Sequence, residues 1–402
     1  MTPMGKPRIA IDFSGLDHLS IRNGQYRYAV DLVRGLAEFK PEAEFILLGS
    51  RPAPVAELRE VFATAGWRYL PAARLDGRAA YYRTQLALAW TALRERIDLL
   101  HVLHSPVPLL APCPLVVTIF DLMYELFPEY ANAVKSRPYR IDRWAVTNRA
   151  RRVISISATT ADDLARLWGI RRARIDVVPL GSSFVTSTSP HCAGRDSRTR
   201  FGELCSGETL LSPYNLEPRK NLEGLLKAVA TLRRRYPRLR LLLFGRAAVE
   251  PTREQQFDRS VTELGLRDAV HLLGPLDDPD LAWLYGHTTA FVFPSLYEGF
   301  GLPVLEAMAS GACVIVRNAS AMAEIVGEAG ALVETADPEA LGAAISGLLD
   351  APERRAQLGA AAHERAAIFT LERMARLTYA NYRAALGGAH NSDFDRHAIE
   401  PD

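Results

Sequence analysis

Two carboxylates with seven residues between them, Glu298 and Glu306, bracket the loop of the stretch FPSLYEGFGLPVLEAMASG, residues 293–311. An apolar run ends near Ser295, and Pro303 stands where a first helical position would fall. Gly299 and Gly301 let the backbone approach a ligand closely, and the free N–H groups of a helix start favour an anion. A carboxylate accepts hydrogen bonds in pairs, which suits a vicinal diol such as a ribose or a sugar ring. A second stretch, NLEPRKN at residues 215–221, also follows an expected strand and opens a helix. There Arg219 offers a bidentate fork and Lys220 a point charge, a pair suited to a diphosphate. The helix dipole gives no reason for cations at that end, so a ligand reason is favoured.

The elements that must carry these groups alternate along nearly the whole chain. Apolar runs predict strands at residues 8–13, 44–49, 68–70, 99–104, 115–121, 153–157 and 176–180, and again at 239–245, 270–274, 290–295, 313–317 and 331–334. Between them lie segments such as 26–39, 81–96 and 158–168, with apolar residues at three- and four-residue spacing. Val- and Leu-rich strands with little alternation imply sheets covered on both faces, hence parallel, and the alternation implies doubly wound α/β domains. A first domain over 1–185, a Ser-, Thr-, Gly- and Arg-rich linker over 186–208 and a second domain over 209–370 follow. Residues 371–388 read as a C-terminal helix and 389–402 as a frayed polar tail. Two Rossmann-like domains joined in this way leave a cleft between their strand C-termini, where open α/β sheets bind ligands.

Composition narrows the class further. A chain of 402 residues, 48% hydrophobic and 23% charged, suits two domains and excludes a disordered, collagen-like or disulfide-rich protein. Net charge is +2, too little for a nucleic-acid binder, although the first half is the more basic. Seven basic residues between Lys135 and Arg152, with Tyr139 and Trp144 among them, suit a solvated helix or a peripheral contact with an anionic membrane or lipid-linked acceptor. The four cysteines have no metal-type spacing, and reduced thiols in a cytoplasmic protein account for them most simply. Asp277, Asp278 and Asp280 open a helix as caps rather than as a cation site. No apolar run is long enough for a signal-peptide core or a membrane helix.

The stretch around Glu298 and Glu306 resembles the Glu-x7-Glu signature of the retaining glycosyltransferases of family 4, also called group 1. The resemblance implies the GT-B fold, two Rossmann-like domains facing a cleft with C-terminal helices packing back toward the first. It implies that Glu298 contacts the transferred sugar, that Gly299, Phe300, Gly301 and Leu302 approach the phosphate and sugar, and that Glu306 holds the ribose hydroxyls. Arg219 and Lys220 match the family's Arg-Lys-Asn motif, whose cations stabilise the departing diphosphate, although Tyr214 stands where the family often has Gly. More weakly, Arg22, Asn23, Gly24, Gln25 and Tyr26 match a Gly-rich turn near the donor phosphates and acceptor. His104, Phe120 and Asp121 fall on strand-end motifs, with Asp121 among the catalytic group. Phe120 departs from the family, where a His touches the sugar near its 6-hydroxyl, and this raises a 6-deoxy sugar or pentose as donor.

The resemblance implies a retaining transfer from a nucleotide-diphosphate sugar, by default mannose from a GDP donor, to a glycan, lipid-linked or small-molecule acceptor. No metal or other cofactor is required, because Arg219, Lys220 and helix N-termini can carry the leaving-group charge. A non-catalytic nucleotide-sugar-binding subunit is the alternative. A dehydrogenase would need a GxGxxG after the first strand, where only Gly15 and then Gly24 occur.

Overall fold

The computed structural model describes residues 5–16, 24–71, 80–187, 195–246 and 251–388. Arg22, Asn23, Cys192 and the tail 389–402 lie outside the described residues. The chain forms two units: one holds the described residues up to Ser182 together with those from Phe369 onward, and the other spans Ser183–Ile368.

The first unit is built on β1 (Arg8–Asp12), β2 (Glu44–Gly49), β3 (Arg68–Pro71), β4 (Leu99–Val102), β5 (Leu115–Ile119), β6 (Ala150–Ser155) and β7 (Ile175–Val177). They pair in parallel in the order β3-β2-β1-β4-β5-β6-β7, with Ile11 of β1 set between Leu47 and His101. Apart from the edge strand β3, the strands are largely buried because helices cover both faces. One layer contributes Leu88, Ala92, Ala145, Val146, Ala161 and Leu164 to a core shared with Leu100, Val102, Val117 and Val153.

The C-terminal helix Leu371–Ala385 belongs to this unit, packing on helix Gly24–Phe39 and on β5 and β6. A Cβ on Gly35 would lie 2.6 Å from the Leu371 carbonyl oxygen, so only glycine admits the returning chain there. Buried hydrogen bonds fix it: the Tyr382 hydroxyl pairs with His101 Nδ1 at 2.7 Å, and His101 Nε2 pairs with Thr118 at 2.8 Å. Burial pushes the His101 imidazole down to about 3, so it is held neutral. Asn381 donates to Asp176, which also pairs with Arg152.

The second unit repeats the plan with β8 (Thr209–Pro213), β9 (Arg240–Phe244), β10 (Val270–Gly274), β11 (Ala290–Phe293), β12 (Val314–Arg317) and β13 (Ala331–Val333), in the order β10-β9-β8-β11-β12-β13. In both sheets the chain order reverses beside the first strand. β1 lies between β2 and β4, and β8 between β9 and β11. This reversal is the topological switch point, where loops leaving adjacent strands diverge and open a binding crevice at the strand C-termini.

Two expectations are corrected. The segment read as a linker over 186–208 contains helix Arg195–Phe201, docked in the second unit by Ser197 Oγ donating to Asp280 at 2.6 Å and by an Arg200–Asp280 ion pair. Its sequence lacks an apolar period because Ser197 and Arg200 make the dock with a single ring, Phe201, packed on Trp283. Several strands also end earlier than their apolar runs: β4 stops before His104, β5 before Phe120 and Asp121, and β11 before Ser295. Those residues have left the ladder for the loops that follow.

Candidate active site

In the second unit, the two loops beside the switch point bring the expected groups together. After β8 the chain extends the ladder once more, Tyr214 N–H donating to the Phe244 carbonyl at 2.7 Å while its ring packs on Phe257. Tyr214 has no left-handed backbone conformation, so this position does not require glycine. Asn215 Oδ1 then accepts from Glu217 N–H at 2.9 Å, and a 3-10 turn, Pro218–Lys220, presents both cations. Asn221 closes the turn at φ 53°, its amide donating to the Thr335 carbonyl at 2.6 Å, and helix Leu222–Leu232 begins.

After β11 the second loop lies against this turn. Leu296 N–H donates to the Arg219 carbonyl at 2.6 Å, and Ser295 Oγ reaches the same oxygen at 3.2 Å. Glu298 meets the cations directly. Lys220 Nζ lies 2.6 Å from Oε1, and Arg219 lies 3.2 Å from Oε2. Ser295 donates to Oε1 at 2.6 Å, Glu217 holds Arg219 Nε at 2.8 Å, and Lys220 sits 5.6 Å above the Phe293 ring. Burial raises the Glu298 pKa, and the nearby Lys220 and Arg219 charges with hydrogen bonds from Lys220 and Ser295 outweigh it, leaving the carboxyl below its usual range. Glu298 is therefore a carboxylate clamped among its own counter-ions.

Gly301 has φ 120°, and a Cβ there would lie 2.9 Å from Met322, so the turn into helix Leu302–Ala309 is reserved for glycine. Pro303 occupies the helix's first turn and Phe300 is buried. Glu306 is buried one turn further on. Ser295, Glu217 and Phe293 were not singled out in the sequence. Ser295 carried a signal, a hydroxyl at the end of a buried strand three residues before a candidate carboxylate.

The first unit's candidates form a different surface. His104, Phe120 and Asp121 line one cavity of about 450 Å³ with Gln25, Tyr124, Tyr139, Asp142 and Trp168. Phe120 stands edge-on to Tyr28, ring centres 5.2 Å apart, and Asp121 Oδ1 caps the short helix after it by accepting from Met123 N–H at 3.1 Å. Gly24 opens its helix, and Tyr26 is buried against Phe13 rather than in the cavity lining. Behind the wall, Glu125 gathers Tyr139, Arg143 and Trp168, and Asp142 accepts from Tyr81 and Val107 N–H and from Ser105. Burial raises the Asp142 carboxyl despite those donors.

The remaining sequence features resolve locally. Asp277 accepts from Asp280 N–H at 2.9 Å as a helix cap, and Tyr285 is buried among Phe184, Phe244 and Phe291. Among the described residues no three His, Cys, Asp or Glu side chains converge as metal ligands, and no helix is long and apolar enough to cross a membrane. Cys113, Cys205 and Cys313 are free thiols. The basic stretch between Lys135 and Arg152 is not one solvated face, because Arg143 pairs with Glu125 and Arg152 with Asp176.

Comparison with known proteins agrees with this geometry. The profile "Glycosyl transferases group 1" matches residues 200–365, and "Glycosyltransferase Family 4" matches residues 22–182. An O-antigen chain mannosyltransferase B from Escherichia coli is 32% identical over 64% of this chain and 66% of its own length. An MMP alpha-(1->4)-mannosyltransferase from Mycolicibacterium hassiacum is 34% identical over 58% of this chain and 54% of its own. The matched region thus spans somewhat over half the length of these curated relatives. Sucrose-phosphate synthase from Thermosynechococcus elongatus shares the fold with a TM-score of 0.74 at 22% identity, over 95% of this chain and 100% of that one. Anabaena Alr3699/HepE, solved in complex with UDP and glucose, gives 0.73 at 19% identity over 94% and 100%. With both units matched by their own profile and a paired ion cluster at the switch point of the second, the chain belongs to the group 1, family 4 glycosyltransferases of GT-B fold.

Proposed function

We propose that the protein is a retaining glycosyltransferase that moves a sugar, mannose from a GDP donor in the first instance, onto a glycan or lipid-linked acceptor. The observation that carries this reading is the clamp of Arg219 and Lys220 around Glu298 at the β8–β11 switch point. A diphosphate entering there meets two fixed cations and the N-terminus of helix Leu302–Ala309, and Glu298 is released toward the sugar hydroxyls. Glu306 then accepts from the ribose diol. The names of the two mannosyltransferase relatives support the choice of sugar.

In the reaction, the bond between the anomeric carbon and the diphosphate oxygen breaks, and its electron pair leaves with the phosphate. The acceptor oxygen adds to the same face, and its proton passes to the leaving phosphate. Retention follows from the family resemblance. The main catalytic contribution is stabilisation of the diphosphate by Arg219 and Lys220, charges that need no metal or other cofactor. On the first unit, His104, Phe120 and Asp121 line the surface on which we place sugar and acceptor. The phenyl ring of Phe120 offers no hydrogen bond, which leaves a 6-deoxy sugar as the second donor to try. Free thiols favour a reducing, cytoplasmic compartment, with a peripheral contact to an anionic surface through the stretch between Lys135 and Arg152.

The test is transfer from GDP-mannose and a panel of UDP-, dTDP- and ADP-sugars to oligosaccharide acceptors, with the anomeric configuration read by NMR. An α-linked product from an α-configured donor supports the reading. Nucleotide binding with no transfer to any acceptor would make the chain a binding subunit instead.

A further inference from the structure

Helix Ala80–Arg94 is amphipathic in the wrong sense for a helix that only covers a sheet. It buries Thr84, Gln85, Leu88 and Ala92, while Tyr82, Leu86, Trp90 and Leu93 are 46%, 62%, 64% and 59% exposed. Those four are spaced by four, four and three residues, which places them on one stripe. Exposed apolar residues scattered singly need no explanation, whereas a contiguous stripe marks an interaction surface.

The neighbouring helix Arg137–Asn148 covers the same face of the sheet, because Ala145 and Val146 share a core with Leu88 and Ala92. The two are joined by the Tyr81 hydroxyl, 2.8 Å from Asp142 and 3.2 Å from the Pro138 carbonyl. Their outer sides therefore turn away from one sheet face together. On the second helix that side carries Trp144, 54% exposed, in a shallow recess of about 470 Å³ with Leu109, Arg137, Arg140 and Ile141.

Charge identifies the partner. Helix Ala80–Arg94 has Arg83 and Arg94 and no acid, and helix Arg137–Asn148 has three arginines and the single acid Asp142, which is occupied by Tyr81, Ser105 and Val107. Arg94 and Arg143 have carboxylate partners, whereas Arg83, Arg137 and Arg140 form no ion pair among the described residues. We propose that this surface docks the protein on an anionic lipid bilayer. Tyr82, Trp90 and Trp144 sit at headgroup level, Leu86 and Leu93 reach the acyl boundary, and Arg83, Arg137 and Arg140 meet lipid phosphates. A second copy of the chain fits poorly, since a two-fold contact through this patch sets its unpaired arginines against one another. The inference rests on the peripheral contact read into the basic stretch and adds to it the apolar stripe and the bilayer as occupant.

The experiment is co-sedimentation of the full chain with phosphatidylcholine vesicles, with and without one third phosphatidylglycerol. Binding to the anionic vesicles only, weakened in 1 M salt where the screening length falls to about 3 Å, is expected. R137Q/R140Q should weaken it about thirtyfold, at about five- to sixfold per basic residue, and L86S/W90S by roughly tenfold or more. Circular dichroism should be unchanged in both, because all four side chains lie on the surface. Unchanged binding by L86S/W90S alongside loss in R137Q/R140Q would overturn the stripe and leave the basic contact. Absence of binding would overturn both. A dimer that L86S/W90S converts to monomer, seen by light scattering without any change in vesicle binding, would assign the surface to a second copy. Nucleotide-sugar transfer is read separately, so failure here leaves the proposed reaction standing.

Discussion

The switch-point loops of the second unit and the cavity of the first are built from opposite materials. The former hold a carboxylate between two cations, each at hydrogen-bond distance before any ligand arrives. The latter is walled by rings, hydroxyls and carboxylates, with the phenyl ring of Phe120 among them. The difference teaches which part of a transfer reaction each surface can serve. Fixed cations serve a leaving group whose negative charge grows. Rings and carboxylates serve neutral hydroxyls, which need stacking and acceptors. Glu298 keeps Arg219 and Lys220 in place in the meantime, so both cations are already positioned when a diphosphate takes its place.

The largest expected effect breaks the charged side. Lys220→Met should lower kcat about a hundredfold or more, the scale of losing one preorganised charge donor, measured by nucleotide release in the presence of acceptor. A fall in acceptor affinity alone would contradict the assignment. Next, His104→Phe and Asp121→Asn in the cavity should raise the acceptor KM about tenfold, the worth of one hydrogen bond of about 1.4 kcal/mol, while nucleotide binding stays unchanged in calorimetry. Loss of nucleotide binding in these variants would erase the distinction between the surfaces. Phe120→His sharpens it further. It should shift the ratio of kcat/KM toward 6-hydroxy over 6-deoxy donors by several-fold, and an unaltered ratio would separate Phe120 from donor choice.

A smaller effect concerns the first unit's support. His101 is neutral in the fold at any pH above about 3 and titrates near 6.5 when unfolded. Its folded value is depressed, so the unfolded chain binds the extra proton, and this contribution is full above pH 6.5 and lost as pH falls toward 3. Urea stability should therefore decline through that window. His101→Gln should remove one proton from the slope, about 1.4 kcal/mol per pH unit. An identical slope in the variant would contradict the buried neutral imidazole.

Much of this was legible in the residues, for reasons that differ by region. The strands at 44–49 and 270–274 and the helix at 158–168 appear with the expected bounds, since an apolar run announces both the buried strand and the half-buried edge strand, and Ser157 caps the helix. The cations and carboxylates of the second unit stood out because charges at strand ends have few other uses. Ser295 did not, because its role depends on a partner 76 residues away in the chain, the carbonyl of Arg219. Helix Arg195–Phe201 was hidden for a similar reason, as its dock is Asp280. The segment 81–96 shows where periodicity misleads. It marked the helix correctly, yet the apolar stripe faces outward and the buried side carries Thr84 and Gln85. The return of the last helix was implied by family resemblance, and its physical mark in the chain is Gly35, whose lack of a side chain shows its purpose only once Leu371 is beside it.

The central claim, that the second unit's ion cluster is a nucleotide-sugar site, is tested most directly by thermal shift against GDP-, UDP-, dTDP- and ADP-sugars. At 100 times its dissociation constant a ligand stabilises the folded state by about 2.7 kcal/mol, a rise of several degrees. The account predicts such a rise with one nucleotide class, GDP first, abolished by Lys220→Ala and by Glu306→Ala and kept by Asp121→Ala. No rise with any nucleotide sugar, or a rise that survives both substitutions in the second unit, would contradict it.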